Sequence, residues 1–115
     1  MSIRRLLAKK LSSETIAHLI AEELALILRS CTPSQVILFG SAARGDMRDD
    51  SELDFIVLFA DQQAADTAKD TYYRLPMPRT MPVDILFLTH DEFARRSKRG
   101  GEGKIVYLGA FNGTT

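Results

Sequence analysis

The sequence predicts an α/β (α+β) domain in which helices pack on a small mixed sheet of three or four strands. Short runs rich in Val, Ile, Leu and Phe alternate along the chain with segments of helical composition. The chain has 115 residues, 45% of them hydrophobic, which suits one core. We therefore expect one domain over residues 1–115, with a helix over about 13–30, a core over about 35–90, and a closing helix and segment over about 91–110.

The first predicted elements are a helix and a strand. Ser12 or Ser13 can cap the helix, and Pro33 ends it. Its apolar residues recur at spacings of three and four, on one face: Ile16, Leu19, Ile20, Leu24 and Ile27. The run Gln35–Phe39 is short, apolar and bounded by Pro33 and Gly40, which predicts a buried strand.

The middle of the chain supplies a loop, two further strands and a helix. Segment 40–51 is polar, which predicts a loop with one helical turn. The apolar runs 53–60 and 82–88 are too short for typical helices and predict strands. Between them, Gln62–Arg74 is rich in alanine and lacks Pro and Gly, which predicts a helix.

The last third predicts a helix and a short strand or turn. The helix covers 91–99, with Thr89 or His90 as its cap and the glycines at 100–101 as its end. Lys104–Leu108 is apolar enough for the final strand.

Charge and cysteine content limit the classes of function. Fifteen basic and fifteen acidic residues cancel, so we expect neither direct nucleic-acid binding nor a membrane partner. No apolar run reaches the roughly 18 residues that a membrane span needs. The first ten residues lack the apolar core of a secretory signal, and Cys31 has no second cysteine to pair with. These features predict a cytoplasmic protein.

Three acidic residues border or interrupt the second and third predicted strands. Glu52 and Asp54 are two residues apart, so on a strand their carboxylates point to the same face. Asp84 lies within an apolar run and needs a compensating partner. Mg²⁺ or Mn²⁺ suits clustered carboxylates, whereas an arginine such as Arg44 or Arg79 is the other candidate partner. The acidic residues alone leave both open.

A glycine and a serine follow the first predicted strand. Gly40 lets the backbone turn sharply and leaves amides and the Ser41 hydroxyl open to an anion such as phosphate. Gly-Ser alone is common in turns, so its position relative to the acids carries the signal. Ten residues separate Ser41 from Glu52.

The run 38–46, with Arg48 and 51–55, resembles the minimal nucleotidyltransferases of the DNA polymerase β-like superfamily. Their signature is Gly-Ser, ten residues, then Asp-x-Asp. The resemblance continues through 83–85, similar to the family's third carboxylate strand, and through Glu102-Gly103 and Val106-Tyr107 near the end. It therefore covers most of the chain and implies the polymerase β-like nucleotidyltransferase fold.

The resemblance also implies which residues carry the metal chemistry. Glu52, Asp54 and Asp84 would be the metal ligands and the catalytic residues, holding Mg²⁺ or Mn²⁺. Asp84 would lie on the acceptor side and is the candidate base.

By the same resemblance, Gly40 and Ser41 would contact the triphosphate of ATP, the expected nucleotide. Arg44 and Arg48 would touch its phosphates, although solvated loop arginines are the alternative reading. The implied reaction transfers AMP to a hydroxyl. The expected acceptor is a tyrosine of a helical HEPN-type toxin partner, with the chain acting as antitoxin in a homo- or hetero-oligomer.

One residue departs from the signature, since the first acid is Glu52 where the pattern has Asp. The extra methylene moves the carboxylate by roughly 1.5 Å, and Mg²⁺ demands near-ideal octahedral geometry. Either the backbone adjusts, with help from Asp50 on the same face by alternation, or the site is weakened. The alternative function is therefore an inactive nucleotidyltransferase-fold antitoxin that acts by binding alone.

Several other residues have ordinary roles in this interpretation. His18 and His90 are expected on the surface or in a cap, and Cys31 as a small buried hydrophobe. The basic residues at the end of the last helix could bind a nucleic-acid backbone, but helix-dipole complementarity and solvation also place charges there, and we expect the second role for Arg95, Arg96, Lys98 and Arg99.

Overall fold

The computed structural model describes residues 8–76, 81–96 and 103–109, which hold four helices and four strands. In chain order these are α1 (Ser13–Ser30), β1 (Gln35–Phe39), α2 (Gly40–Arg44), β2 (Leu53–Phe59), α3 (Gln62–Arg74), β3 (Val83–Thr89), α4 (His90–Arg96) and β4 (Lys104–Leu108). The α/β class is confirmed, and the final segment is a strand rather than a turn.

The four strands form one mixed sheet in the order β3-β2-β1-β4. β1 runs antiparallel to both β2 and β4, whereas β2 and β3 are parallel and α3 connects them. Because of these directions, the end of β1 meets the starts of β2 and β3 at one end of the sheet. Asp54 is there the direct cross-strand neighbour of Phe39 on one side and of Asp84 on the other.

Different helices pack on the two faces of the sheet. One face packs against α1 and α3 and forms the main core, which includes Val36, Leu38, Leu53, Phe55, Val57, Phe59, Ile85 and Phe87. The opposite face, here called the α4 face, has a smaller cluster of Ile37, Leu58 and Leu88 with Phe93 of α4. By strand alternation, Asp54 and Asp84 lie on the α4 face. Among the described helices, none has the length and hydrophobicity to cross a membrane.

Hydrogen bonds explain where two of the helices begin. The Ser12 hydroxyl accepts from the Thr15 amide at 3.1 Å and caps α1. At α4, the Thr89 hydroxyl accepts from the Glu92 amide at 3.1 Å, and the Glu92 carboxylate accepts from the Thr89 amide at 3.0 Å. This reciprocal capping box confirms Thr89 as the cap. The predicted remainder of α4, with its glycine stop, lies outside the described residues.

A buried polar contact joins the two helices that cover the main core. Glu23 of α1 is 4% exposed, and the Tyr72 hydroxyl of α3 donates to its carboxylate at 2.5 Å. A carboxylate this deeply buried needs such donors, because burial removes its hydration. The contact therefore fixes how α1 and α3 lie relative to each other.

The strand β4 contains a bulge. Ile37 pairs with Ile105, whereas the preceding residue of β1, Val36, pairs with Tyr107. Val106 is thus an extra residue on β4, and the side-chain alternation of that strand shifts by one. As a result Ile105 and Leu108, three positions apart, both lie on the α4 face.

Candidate metal and nucleotide site

Three carboxylates converge at the end of the sheet where β2 and β3 begin. Asp54 and Asp84 are the second residues of their strands, and the parallel register makes them neighbours. Glu52 lies just before β2, on the same side as Asp54. One carboxylate oxygen from each of the three lies within 4.8 Å of the others. The structure thus brings together the trio that the sequence singled out.

The electrostatics of this cluster are unfavourable without a cation. Burial raises the pKa of Asp54, and the charges of Glu52 and Asp84 raise it further. Glu52 and Asp84 are exposed, so the cluster opens to solvent on one side. Oxygen ligands of this kind suit Mg²⁺ or Mn²⁺, and a divalent charge would offset the repulsion. The donor set therefore fits the metal that the sequence analysis proposed.

The alternative partners for the carboxylates were two arginines. Arg44 lies at the end of α2, where its Nε pairs with Asp46 Oδ2 at 3.3 Å. Both of those side chains are about half exposed. Arg79 lies outside the described residues. Arg44 is therefore engaged within its own loop rather than with the trio.

Gly40 brings the backbone of the Gly-Ser turn into contact with the carboxylate cluster. Its φ is 70°, a conformation that favours glycine, and α2 begins at this residue. A Cβ atom at Gly40 would lie 2.5 Å from Asp54 Oδ2. Only a residue without a side chain allows the Asp54 carboxylate to lie there. Ser41, the next residue, is half-buried and lies in the first turn of α2.

The loop between Gly-Ser and the acids is held by residues that precede α1. The Leu11 amide donates to the Met47 carbonyl and the Asp49 amide to the Lys9 carbonyl, each at 2.9 Å. Met47 is fully buried beneath this loop. The Arg48 guanidinium donates to the Ala8 carbonyl at 3.2 Å. A phosphate role for Arg48 remains a prediction, since this bond uses one of the five N–H donors of the guanidinium.

One expectation about a neighbouring residue was wrong, and another concerns a residue outside the described part of the chain. Asp50 was expected to share the face of Glu52 and Asp54 by alternation. It lies instead in an exposed turn before β2 begins at Leu53, so strand alternation does not reach it. Glu102, part of the closing motif, lies outside the described residues.

Phe39 is a neighbour of the site that the sequence analysis did not single out. It is the cross-strand partner of Asp54, and its ring meets Phe93 edge-on at 6.4 Å between centroids. Gly103 lies against the same ring, since a Cβ there would be 2.6 Å from it. The sequence feature that could have identified Phe39 is its position as the last residue of the predicted strand, directly before Gly-Ser.

Comparisons with known proteins agree with this geometry. Residues 22–108 match the sequence model of the family described as Polymerase beta, Nucleotidyltransferase. The fold is similar to the 1.40 Å crystal structure of a protein from Sulfolobus solfataricus that is provisionally described as a nucleotidyltransferase. That pair has 20% identity and a TM-score of 0.57, covering 87% of this chain and 89% of the other, so the likeness concerns the fold.

A search of curated proteins found no significant match. The family match nevertheless covers most of the chain and includes all four strands of the sheet, with the Gly-Ser turn and the three carboxylates. The chain belongs to the polymerase β nucleotidyltransferase family.

Proposed function

We propose that the protein is a nucleotidyltransferase that uses Mg²⁺ or Mn²⁺ to move a nucleoside monophosphate from a triphosphate to a hydroxyl group. One observation carries the proposal, the convergence of Glu52, Asp54 and Asp84 within 4.8 Å of one another. Their position against Gly40 supports it, because phosphates can approach a turn that lacks a side chain.

The reaction can be assigned to atoms of the substrates. The acceptor oxygen forms a bond to the α-phosphorus, and the bond from that phosphorus to the pyrophosphate oxygen breaks. The hydroxyl proton passes to the Asp84 carboxylate, which is exposed at the mouth of the cluster, and pyrophosphate leaves. When bound, the cation would neutralise charge that develops on the phosphate oxygens. Gly40 and Ser41 bind and orient the triphosphate.

The position of Glu52 favours a working site over a degenerate one. Glu52 precedes β2 and is not part of its hydrogen-bonded ladder, so the backbone there is less constrained than within the strand. With the extra methylene in place, one of its carboxylate oxygens lies within 4.8 Å of an oxygen from each of the other two residues. We therefore favour the transferase, and the thermal-shift experiment below distinguishes it from the binding-only alternative.

The finer proposal is the transfer of AMP from ATP to a tyrosine of a helical HEPN-type toxin partner in the cytoplasm. Its support is the likeness of segment 38–55 to the motif of antitoxin-type minimal nucleotidyltransferases. The test is to incubate the protein with α-labelled ATP, Mn²⁺ or Mg²⁺ and candidate helical acceptors. We expect labelled acceptor with the native protein and none with Asp54→Ala. Equal labelling with both proteins, or none with any acceptor, would contradict the proposal.

A thermal-shift experiment separates the active from the degenerate site. We expect Mn²⁺ to raise the melting temperature of the native protein and of Glu52→Asp alike. A rise with Glu52→Asp alone would mean that Glu52 has weakened the site and that the protein acts by binding.

A further inference from the structure

The strand β4 lies at the edge of the sheet within the described residues, and its exposed side chains are unusual for an edge. Ile105 is 54% exposed and Leu108 is 65% exposed. From Ile105 to Leu108 the strand contains neither a charged residue nor a proline. Edge strands normally carry such residues, because unpaired backbone groups invite another strand. The charged residue of the strand, Lys104, stands at one end, so the stretch from Ile105 to Leu108 has no charge of its own to keep another strand away.

The bulge at Val106 makes this edge self-complementary. Residues directly opposite in a sheet must point to the same face, so Ile105 could not oppose Leu108 in a regular antiparallel pair of identical strands. The extra residue places both side chains on the α4 face. A second copy, related by a two-fold axis normal to the sheet, can then pair its β4 with this β4. In that pairing, residues that lie opposite each other point to the same face of the sheet.

We propose that a second copy of this chain pairs with β4 in antiparallel fashion and extends the sheet across a two-fold axis. The axis passes near Val106-Tyr107, and Ile105 of each copy lies opposite Leu108 of the other. Val106 and Tyr107 continue the main core face, since both already pack against that core. The pairing satisfies the edge backbone and covers the two exposed aliphatic side chains.

The distribution of charge agrees with this register. Lys104 is the charged residue of β4, and the pairing places it opposite Gly109 of the other copy. The two lysines therefore lie at opposite ends of the interface, without like-charge contact. The other edge strand, β3, is less suited, because the exposed Asp84 would meet an incoming strand there.

The resulting sheet has eight strands in the order β3-β2-β1-β4-β4-β1-β2-β3. Because the axis is normal to the sheet, both carboxylate clusters open on the same face of the dimer. Five strand spacings separate the two copies of β2, which corresponds to about 24 Å across the sheet.

The test is the molecular mass of the full chain in solution, measured by light scattering after gel filtration over a range of concentrations. We expect the mass of two chains for the native protein. Ile105→Lys and Leu108→Glu should each give the mass of one chain, because each places a charge against an aliphatic side chain. Both positions are exposed, so the variants should fold, which circular dichroism checks. Nucleotide and metal are absent from this experiment, so its result is independent of the proposed reaction.

Two further variants make the test specific to the register. Leu86→Lys changes an exposed aliphatic residue of the same face on β3, at the other edge, and should stay dimeric. The double variant Ile105→Lys with Leu108→Glu should recover the mass of two chains, because the new lysine of each copy then lies opposite the new glutamate of the other and the two form an ion pair at both ends. A native protein of one-chain mass at every concentration would overturn the proposal, as would a double variant that stays at one-chain mass. Loss of the dimer in Leu86→Lys but not in Ile105→Lys would overturn it too.

Discussion

The side chain of Asp54 is at the centre of the candidate site. Its pKa is raised, because burial and the charges of Glu52 and Asp84 all oppose its ionised form. It also occupies space that a side chain at position 40 would need. The glycine of the Gly-Ser motif therefore has two roles, one in the turn and one in leaving room for a ligand carboxylate.

Replacing Gly40 should separate these two roles. We expect Gly40→Ala to lower the free energy of unfolding by about 1–2 kcal/mol through its positive φ, and to abolish Mn²⁺ binding by displacing Asp54. Gly45→Ala is the matched control. Its φ is 81°, but a Cβ there has no atom within 4 Å, so it should lose similar stability and keep the metal. Urea denaturation and Mn²⁺ calorimetry measure the two effects, and Mn²⁺ binding by Gly40→Ala would contradict the prediction.

Removing the Asp54 charge should stabilise the protein when no cation is present. The raised pKa means that the folded state prefers the neutral form, which an amide imitates. We expect Asp54→Asn to melt a few degrees higher than the native protein in EDTA, and to lose both stabilisation by Mn²⁺ and transferase activity. Asp50→Asn, in the exposed turn, should change none of these three properties. A lower melting temperature for Asp54→Asn in EDTA would be evidence against the repulsive cluster.

At the scale of elements, the contact between α1 and α3 is the clearest specific link in the core. The Tyr72 ring packs against Phe87 of β3 while its hydroxyl reaches Glu23, so one residue joins two helices and the sheet. Tyr73, its neighbour, also contacts Phe87 but is 61% exposed. The two tyrosines therefore form a natural comparison.

Removing the Tyr72 hydroxyl should cost stability, while removing that of Tyr73 should not. We expect Tyr72→Phe to lower the free energy of unfolding by about 1–3 kcal/mol, since a donor to the buried Glu23 carboxylate is lost. Tyr73→Phe should stay within about 0.5 kcal/mol of the native protein. Chemical denaturation of both variants is the measurement, and equal values would show that the hydroxyl contributes nothing specific.

Sequence patterns predicted elements better than relations between elements. Gln35–Phe39 and Gln62–Arg74 have the predicted bounds, because a proline, glycines or alanine-rich composition mark them clearly. Thr89 and Glu92 form a capping box whose spacing is visible in the sequence. The expectation for Asp50 was wrong because alternation applies only within a strand, and Asp50 lies before the predicted and observed start of β2 at Leu53.

The candidate site was more predictable than the sheet around it. Acidic residues in apolar runs are costly, so Asp54 and Asp84 stood out without a structure. Their adjacency depends on a parallel register between distant segments, which local propensity does not specify. The bulge at Val106 and the contact of Phe39 with Phe93 likewise arise from tertiary packing.

For the whole molecule, the two ends of the sheet have different character. The carboxylates lie at the start of β2, whereas Cys31 lies near Phe59 at the other end of that strand. Burial raises the pKa of the Cys31 thiol to about 11 from an ordinary value of 9.0. The thiol also donates to the Ile27 carbonyl at 3.4 Å. The reactivity of the Cys31 thiol can therefore serve as a measure of global unfolding, at a position far from the site.

The rate at which Cys31 is alkylated should fall as the fraction of folded chains rises. At pH 8 its thiolate should be about a hundredfold scarcer than that of an ordinary thiol, so iodoacetamide should react correspondingly more slowly with the folded chain than with the chain in urea. Mass spectrometry measures both rates, and equal rates would contradict the prediction. Because the folded-state pKa is raised, the stabilising contribution of the neutral thiol is complete below pH 9 and is lost as the pH rises through about 11.

The sheet order also has a consequence for synthesis on the ribosome. Of the strands in the described residues, β1 is made first and β4 last, yet they are neighbours. When β2 and β3 have already emerged, β1 still lacks its second neighbour, and its Val36-Ile37-Leu38 stretch is an open edge. The carboxylate cluster needs only β1, β2 and β3, so the β1 edge stays uncovered in the interval between the emergence of β3 and that of β4.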